Sequence, residues 1–498
     1  MDVTESVVAT RDPAQGQLRA TLSTGNIVFM VLATAAPMAA VIGVLPVAFG
    51  LGNGAGLPMT ILGAGLVLWL FSVGYTAMSR RVVNAGAFYT YVVRGLGPTT
   101  GLGAAFLAVV SYAAFVCGAV GYFGYFAQAA MQDLVGRHIG WGWYSAAALL
   151  AIGLLGFRQI DFSSRLLGVL LTLEFGILAT LAASIVLHSG TTAFPTASMN
   201  PASAASGHPG VALMFAFTCF IGFESAALYS EEARDARRSV ARATYGSLVI
   251  ITAFYVLMSW VTVGAVGAGS ISKEAADTGG YLYFGLSDQY LTHWVTDAME
   301  VLLATSIFAT ALALHNVASR YIFSLGRQRC LPRVLGATHS RHHSPYVASF
   351  SVTVMTSSVV AVCIAYGVPS LIGLGTSGVS LGTVGIIGLQ AMASAAIYGY
   401  FRRFPSDLSL WPRAIAPILG CLGLGFAVFL AVQKFYLLSG STNAWLNVGL
   451  PACLAGAVAT GSAYANWMRR ARPAQFAVLR EALTENAAAR PSDRPGEH

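Results

Sequence analysis

Apolar stretches long enough to cross a lipid bilayer recur along the whole chain, separated by short polar segments. A membrane helix needs about 20 mostly apolar residues. On that length the pattern predicts about twelve spans, centred on residues 27–51, 57–78, 99–129, 142–157, 164–187, 210–230, 243–268, 294–324, 346–366, 372–400, 413–432 and 445–468. The fold class expected is therefore an all-α polytopic membrane protein, a multi-pass chain whose surroundings are the lipid bilayer.

Composition agrees: 56% of the 498 residues are hydrophobic and 10% charged, and the mean hydropathy is +0.67. Those values exclude an ordinary soluble protein. The net charge of +8 does not call for a nucleic-acid partner, because the basic residues sort by position. Of 28 Lys and Arg, 25 fall in the termini or the loops after even-numbered spans, and only Arg137, Lys273 and Lys434 lie opposite. Basic residues near spans are retained in the cytoplasm, so N and C termini are expected inside. No cleavable signal precedes the first span. The cysteines at 117, 219, 330, 363, 421 and 453 are scattered and read as packing residues. No Asn-x-Ser/Thr acceptor occurs, and Arg outnumbers Lys by 26 to 2; both suit a bacterial cell inner membrane.

Two spans are interrupted. Thr34-Ala35-Ala36-Pro37-Met38 puts a proline in the middle of span 1, where it removes a backbone donor and clashes with the preceding turn. Phe220-Ile221-Gly222-Phe223-Glu224 puts a glycine and a carboxyl in span 6. Paired interruptions in corresponding positions point to inverted repeats with a substrate site at their interface. The organisation expected is a cytoplasmic tail (1–26), a first repeat of five spans (27–188), a second repeat of five (209–401), two extra C-terminal spans (412–468) and a cytoplasmic tail (469–498).

Gly222-Phe223-Glu224 with Glu231-Glu232-Ala233-Arg234-Asp235-Ala236-Arg237-Arg238 resembles the sixth-span signature of the amino acid, polyamine and organocation transporter superfamily. Gly86-Ala87-Phe88-Tyr89-Thr90-Tyr91 is similar to that family's motif after span 2. Ser319-Arg320 and Gly326-Arg327-Gln328-Arg329-Cys330-Leu331-Pro332 are similar to its motifs after span 8. The match runs over roughly residues 25–403. It departs at Ala236 and Ala241, where the family favours Pro; at Gln328 and Arg329, where Asp and Gly are usual; and at Ala35-Ala36-Pro37, where Gly-Ser-Gly is common. The resemblance implies a five-plus-five inverted-repeat (LeuT-like) fold with broken spans 1 and 6, and secondary-active transport of a small molecule, with no enzymatic activity and no cofactor.

In such a fold the second half of span 1 presents unpaired N–H groups near Pro37 and Met38 that suit a carboxylate, and the first half of span 6 ends near Cys219 and Ile221 in carbonyls that suit an ammonium group. The candidate substrate-binding residues are Thr34, Ala35, Ala36, Pro37, Met38, Cys219, Phe220, Ile221, Gly222 and Glu224. An amino acid fits both poles, whereas an amine or polyamine would use only the carbonyl pole, helped by Glu224. Glu224 is either a coupling or substrate group or a carboxyl bonded to the unwound backbone. Glu174, near the middle of span 5, is the other intramembrane carboxyl; proton-coupled relatives place a Lys at a similar point. It either loads and releases a proton or stays protonated against a neighbouring helix. Coupling is thus assigned to Glu174 and Glu224, with the proton as the expected ion. Sodium is the alternative, through Ser306, Thr310, Thr376 and Ser377, although such hydroxyls commonly bond their own helix. Asp297 and Glu300 are expected in a solvated vestibule, and His339, His342 and His343 in a loop without a metal. The overall expectation is an amino acid permease working by alternating access, with an amine or polyamine carrier of the same fold as the alternative.

Overall fold

The computed structural model describes residues 23–81, 87–158, 164–227, 236–339, 344–404, 407–474 and 476–477. Most of both expected tails, Gly86, the stretch 231–235, and His342 with His343 lie outside the described residues. Among the described residues every regular element is helical. The main helices are α1 (Thr24–Ala35), α2 (Leu57–Ser79), α3 (Ala87–Leu96), α4 (Pro98–Val135), α5 (Trp141–Arg158), α6 (Ser164–Ser189), α7 (Pro209–Thr218), α8 (Ala236–Val266), α9 (Ile271–Thr278), α10 (Leu282–Tyr290), α11 (His293–Arg327), α12 (Tyr346–Ala365), α13 (Ser377–Arg403), α14 (Ala416–Gln433) and α15 (Ala444–Ala471).

Ten helical segments among the described residues are long and apolar enough to cross a membrane. The first, Thr24–Ser79, is 56 residues long and takes in both of the first two expected spans. Helix α5, where the fourth span was expected, has 18 residues and is not one of the ten. Its Trp, Gly, Tyr and Ser start and its closing Arg158 dilute an apolar centre.

Burial sorts the helices. In α4 78% of the most apolar window is buried, against 28% in α12 and 22% in α15. Helix α4 is therefore the central pillar, packed by α11, α13, α15 and α5, whereas the most apolar windows of α12 and α15 are little buried. Small residues set the closest approach, as expected where lipid tails compete with side chains for every apolar contact. A Cβ on Gly118 of α4 would lie 2.2 Å from the Val379 nitrogen, and one on Gly378 of α13 would lie 2.6 Å from the Gly118 nitrogen.

Candidate functional site

The site is built where two helices fail to continue. Proline disfavours the helical conformation in the residue before it, and Ala36, preceding Pro37, sits at φ 45° and ψ 74°, closing α1 at Ala35. A left-handed non-glycine residue costs about 1–2 kcal/mol, a strain that this position retains. Beyond Met38 the chain resumes in wide π-type turns over Ala39–Val44. Helix α7 ends at Thr218, and turns follow in which Phe220 N–H donates to the Phe217 carbonyl at 3.0 Å and Ile221 N–H to Thr218 at 3.1 Å. Gly222 then adopts φ 108°. A methyl there would meet the Thr34 Cγ2 at 2.7 Å and its carbonyl oxygen at 3.0 Å, so the two breaks, nearly 190 residues apart in sequence, touch backbone to backbone.

Both intramembrane carboxyls are buried, Glu174 at 5% and Glu224 at 8% exposure, and each is bound to one of the breaks. Glu174 of α6 accepts from Met38 N–H at 3.2 Å and from the Ser306 hydroxyl of α11 at 3.0 Å, both on Oε2. The N–H pole of span 1, expected to face a substrate carboxylate, is thus engaged by a carboxyl of the protein itself. Glu224 accepts from Gly222 N–H at 3.0 Å and from the Tyr112 hydroxyl at 3.2 Å, while its own carbonyl accepts from the Tyr75 hydroxyl at 3.0 Å. A buried charge without such partners costs several kcal/mol, and these bonds satisfy the backbone exposed by the unwinding at the same time.

Between the breaks lies a cavity of about 40 Å³. Thr34, Ala35, Ala36, Ala39 and Ala40 line it from span 1, and Thr218 and Ile221 from span 6. Helix α4 adds Phe115, Ala119 and Tyr122; α11 adds Ile307 and Thr310; α13 adds Val379. One water needs roughly 10–15 Å³ on this measure. The space as it stands holds a few waters and is smaller than an amino acid.

Of the ten predicted substrate residues, Thr34, Ala35, Ala36 and Ile221 line the cavity. The others stand around it. Met38 is turned to Glu174, the Cys219 thiol donates to the Phe215 carbonyl at 3.4 Å, and Phe220 packs edge-to-face on Tyr255 at 6.2 Å. The Tyr255 hydroxyl donates to the Ala35 carbonyl at 3.3 Å. Pro37, Gly222 and Glu224 shape the breaks without contributing to the wall. Among the hydroxyls considered for sodium, Ser306 holds Glu174, Thr310 donates to the Ser306 carbonyl at 2.9 Å, and Thr376 donates to Leu371 at 3.0 Å. Ser377 donates to the Ser439 carbonyl at 3.2 Å. Glu300 departs from the solvated vestibule expected for it, being only 8% exposed, whereas the Asp297 side chain is 42% exposed.

Sequence reasoning missed the wall of α4 and the tyrosines. Tyr112 stacks on Tyr321 at 5.8 Å, Tyr321 lies 6.2 Å from Tyr89, and the Tyr89 hydroxyl is bonded to Ser324 at 3.0 Å and to the Gln328 amide. This column joins the span-6 break to the motifs after spans 2 and 8. Its signal was available, since a tyrosine within an apolar run needs a partner for its hydroxyl.

Comparison with known proteins bears on what such a site belongs to. The family model described as amino acid permease matches residues 16–456. An uncharacterized transporter of Mycobacterium tuberculosis is 23% identical over 397 residues, covering 77% of this chain and 80% of its own length. A branched-chain amino acid permease of Bacillus subtilis is 22% identical over 420 residues, covering 80% and 84%. One of Lactococcus lactis subsp. cremoris is 24% identical over 315 residues, covering 58% and 64%. A helical protein with many membrane-length apolar segments, whose two helix breaks meet around a small cavity, is matched by that model along nearly all its length: the chain belongs to the amino acid permease family, multi-pass membrane transporters of small molecules.

Proposed function

We propose that this protein is a secondary-active permease for amino acids with apolar side chains, working by alternating access between two inverted repeats of five spans and driven by protons. The observation that carries the reading is the contact of the two breaks at Gly222 and Thr34 around a cavity walled mainly by Ala, Val, Ile and Phe side chains. Such a wall suits an aliphatic side chain and lacks a charged group to pair with a charged one. The branched-chain permeases among its relatives favour the same class. The proposed topology has twelve crossings, counted as two in Thr24–Ser79 and one at α5, with both termini in the cytoplasm of a bacterial inner membrane; the 25 to 3 split of basic residues supports it.

In this mechanism Glu174 is the coupling group. While ionised it holds the Met38 N–H and so competes with the carboxylate of an incoming amino acid. Protonation weakens that hold, because an ionised acceptor makes the stronger bond, and frees the pole for the substrate. Proton and amino acid then load together. Glu224 serves as the clasp that keeps span 6 unwound.

The amine alternative retains one supporting observation: two carboxyls, Glu174 and Glu224, are bonded at the breaks. Filling the cavity tests the reading. Ala119→Leu, on the α4 wall, is expected to abolish leucine uptake into proteoliposomes while the purified protein stays monodisperse. Uptake at the wild-type rate would move the substrate site elsewhere.

A further inference from the structure

A second cavity, about 680 Å³, lies between α3, α13 and α14 and shares no lining residue with the break site. Its wall changes character along the helix axes. At the C-terminal end of α13 it carries the side chains of Arg402 and Arg403, both exposed. Among the described residues neither forms an ion pair. One turn back stands Tyr398, and the opposite wall is the start of α14, with Ile418, Cys421 and Leu422. Ile418 is 40% and Leu422 64% exposed, so this wall opens outward to where lipid chains run. At 1.5 Å per residue, the seven residues from Ala395 to Arg402 set the guanidinium end about 10 Å above the apolar end.

Two cations at the rim, an amphipathic ring below them and an outward-facing aliphatic groove beneath match one occupant in charge and in polarity. A guanidinium pair suits a phosphate, which it grips with paired N–H donors; a tyrosine suits the interfacial level; the groove suits an acyl chain. A free phosphate would leave the aliphatic wall unused, and a zwitterionic headgroup would leave the two positive charges uncompensated. Basic pockets between helices on the cytoplasmic side are a recurrent way to hold an anionic headgroup.

We propose that this cavity binds an anionic phospholipid, its phosphate between Arg402 and Arg403 and an acyl chain along Ile418 and Leu422. The inference rests on α13 and α14 crossing the bilayer and not on the transported substrate, so failure of the permease reading leaves it intact. The test uses full-length protein, purified and stripped of lipid, with melting temperature read after adding phosphatidylglycerol or phosphatidylcholine. Phosphatidylglycerol is expected to raise the melting temperature of the wild type beyond the effect of phosphatidylcholine, and Arg402→Gln with Arg403→Gln is expected to lose that difference. In the wild type itself, alkylation of Cys421 by a membrane-permeant maleimide, quantified on its peptide, is expected to be slower in phosphatidylglycerol vesicles than in phosphatidylcholine vesicles. An equal shift in the double variant, a shift reproduced by glycerol phosphate alone, or Cys421 labelling indifferent to headgroup charge would each overturn the proposal.

Discussion

The two carboxyls that stood out as isolated acids in apolar runs have both become ligands of exposed backbone. Glu174 was legible because a charge in the middle of a membrane span is costly and needs a reason. Its partner Ser306 was not, since a serine in a helix ordinarily bonds its own backbone, and nothing in spacing joins residues 132 positions apart. The account gives Glu174 one role, to yield the Met38 N–H when it takes up a proton. Glu174→Gln keeps an acceptor in place but cannot ionise. In proteoliposomes, wild-type uptake is expected to rise as the outside pH falls, whereas the variant is expected to show a flat profile; a variant that keeps the wild-type slope would remove Glu174 from coupling. Glu224 bonds the unwound Gly222 N–H and is not among the residues lining the cavity.

At the scale of elements, helix ends do most of the shaping. Proline and glycine advertise where helices stop, so both breaks were legible to within a few residues. The π-type turns over Ala39–Val44 and the face that α4 turns to the cavity were not. Phe115, Ala119 and Tyr122 sit in an unbroken apolar helix that is buried nearly all round, so periodicity marks no single inward side. The end of α11 shows what a motif departure costs. Cys330 N–H donates to the Leu325 carbonyl at 2.9 Å and Arg329 N–H to Gly326 at 3.0 Å, the paired bonds of a Schellman cap, which wants a left-handed residue between them. Arg329 holds that place at φ 59°, where the resembled motif usually has Gly. Comparing two substitutions that both remove the arginine side chain isolates the backbone effect. Arg329→Gly is expected to be more stable than Arg329→Val by about 1–2 kcal/mol, read as a higher melting temperature in detergent; equal stabilities would contradict this description of the cap.

Over the whole molecule, the charge asymmetry is the argument for the proposed span count. An even number of crossings is required if the basic loops and both termini share one side, and the twelve-span reading meets that requirement by counting two crossings in Thr24–Ser79 and one in α5. A green fluorescent protein fused after residue 498 is expected to fluoresce, and alkaline phosphatase at the same point to be inactive, as for a cytoplasmic end. Active phosphatase would demand an odd count. The pairing of the two interruptions pointed to one interface, but the contact of Gly222 with Thr34 could not be read from the chain, since nothing in spacing joins residues nearly 190 positions apart.

Counterflow in proteoliposomes tests the central claim most directly, because it needs no knowledge of the driving ion. Vesicles preloaded with one unlabelled compound are offered the same compound in labelled form at low concentration, across a panel of amino acids and amines. Labelled leucine, isoleucine or valine is predicted to accumulate transiently in vesicles loaded with the matching amino acid and not in empty ones. Accumulation with amines alone, or with no member of the panel, would contradict the account.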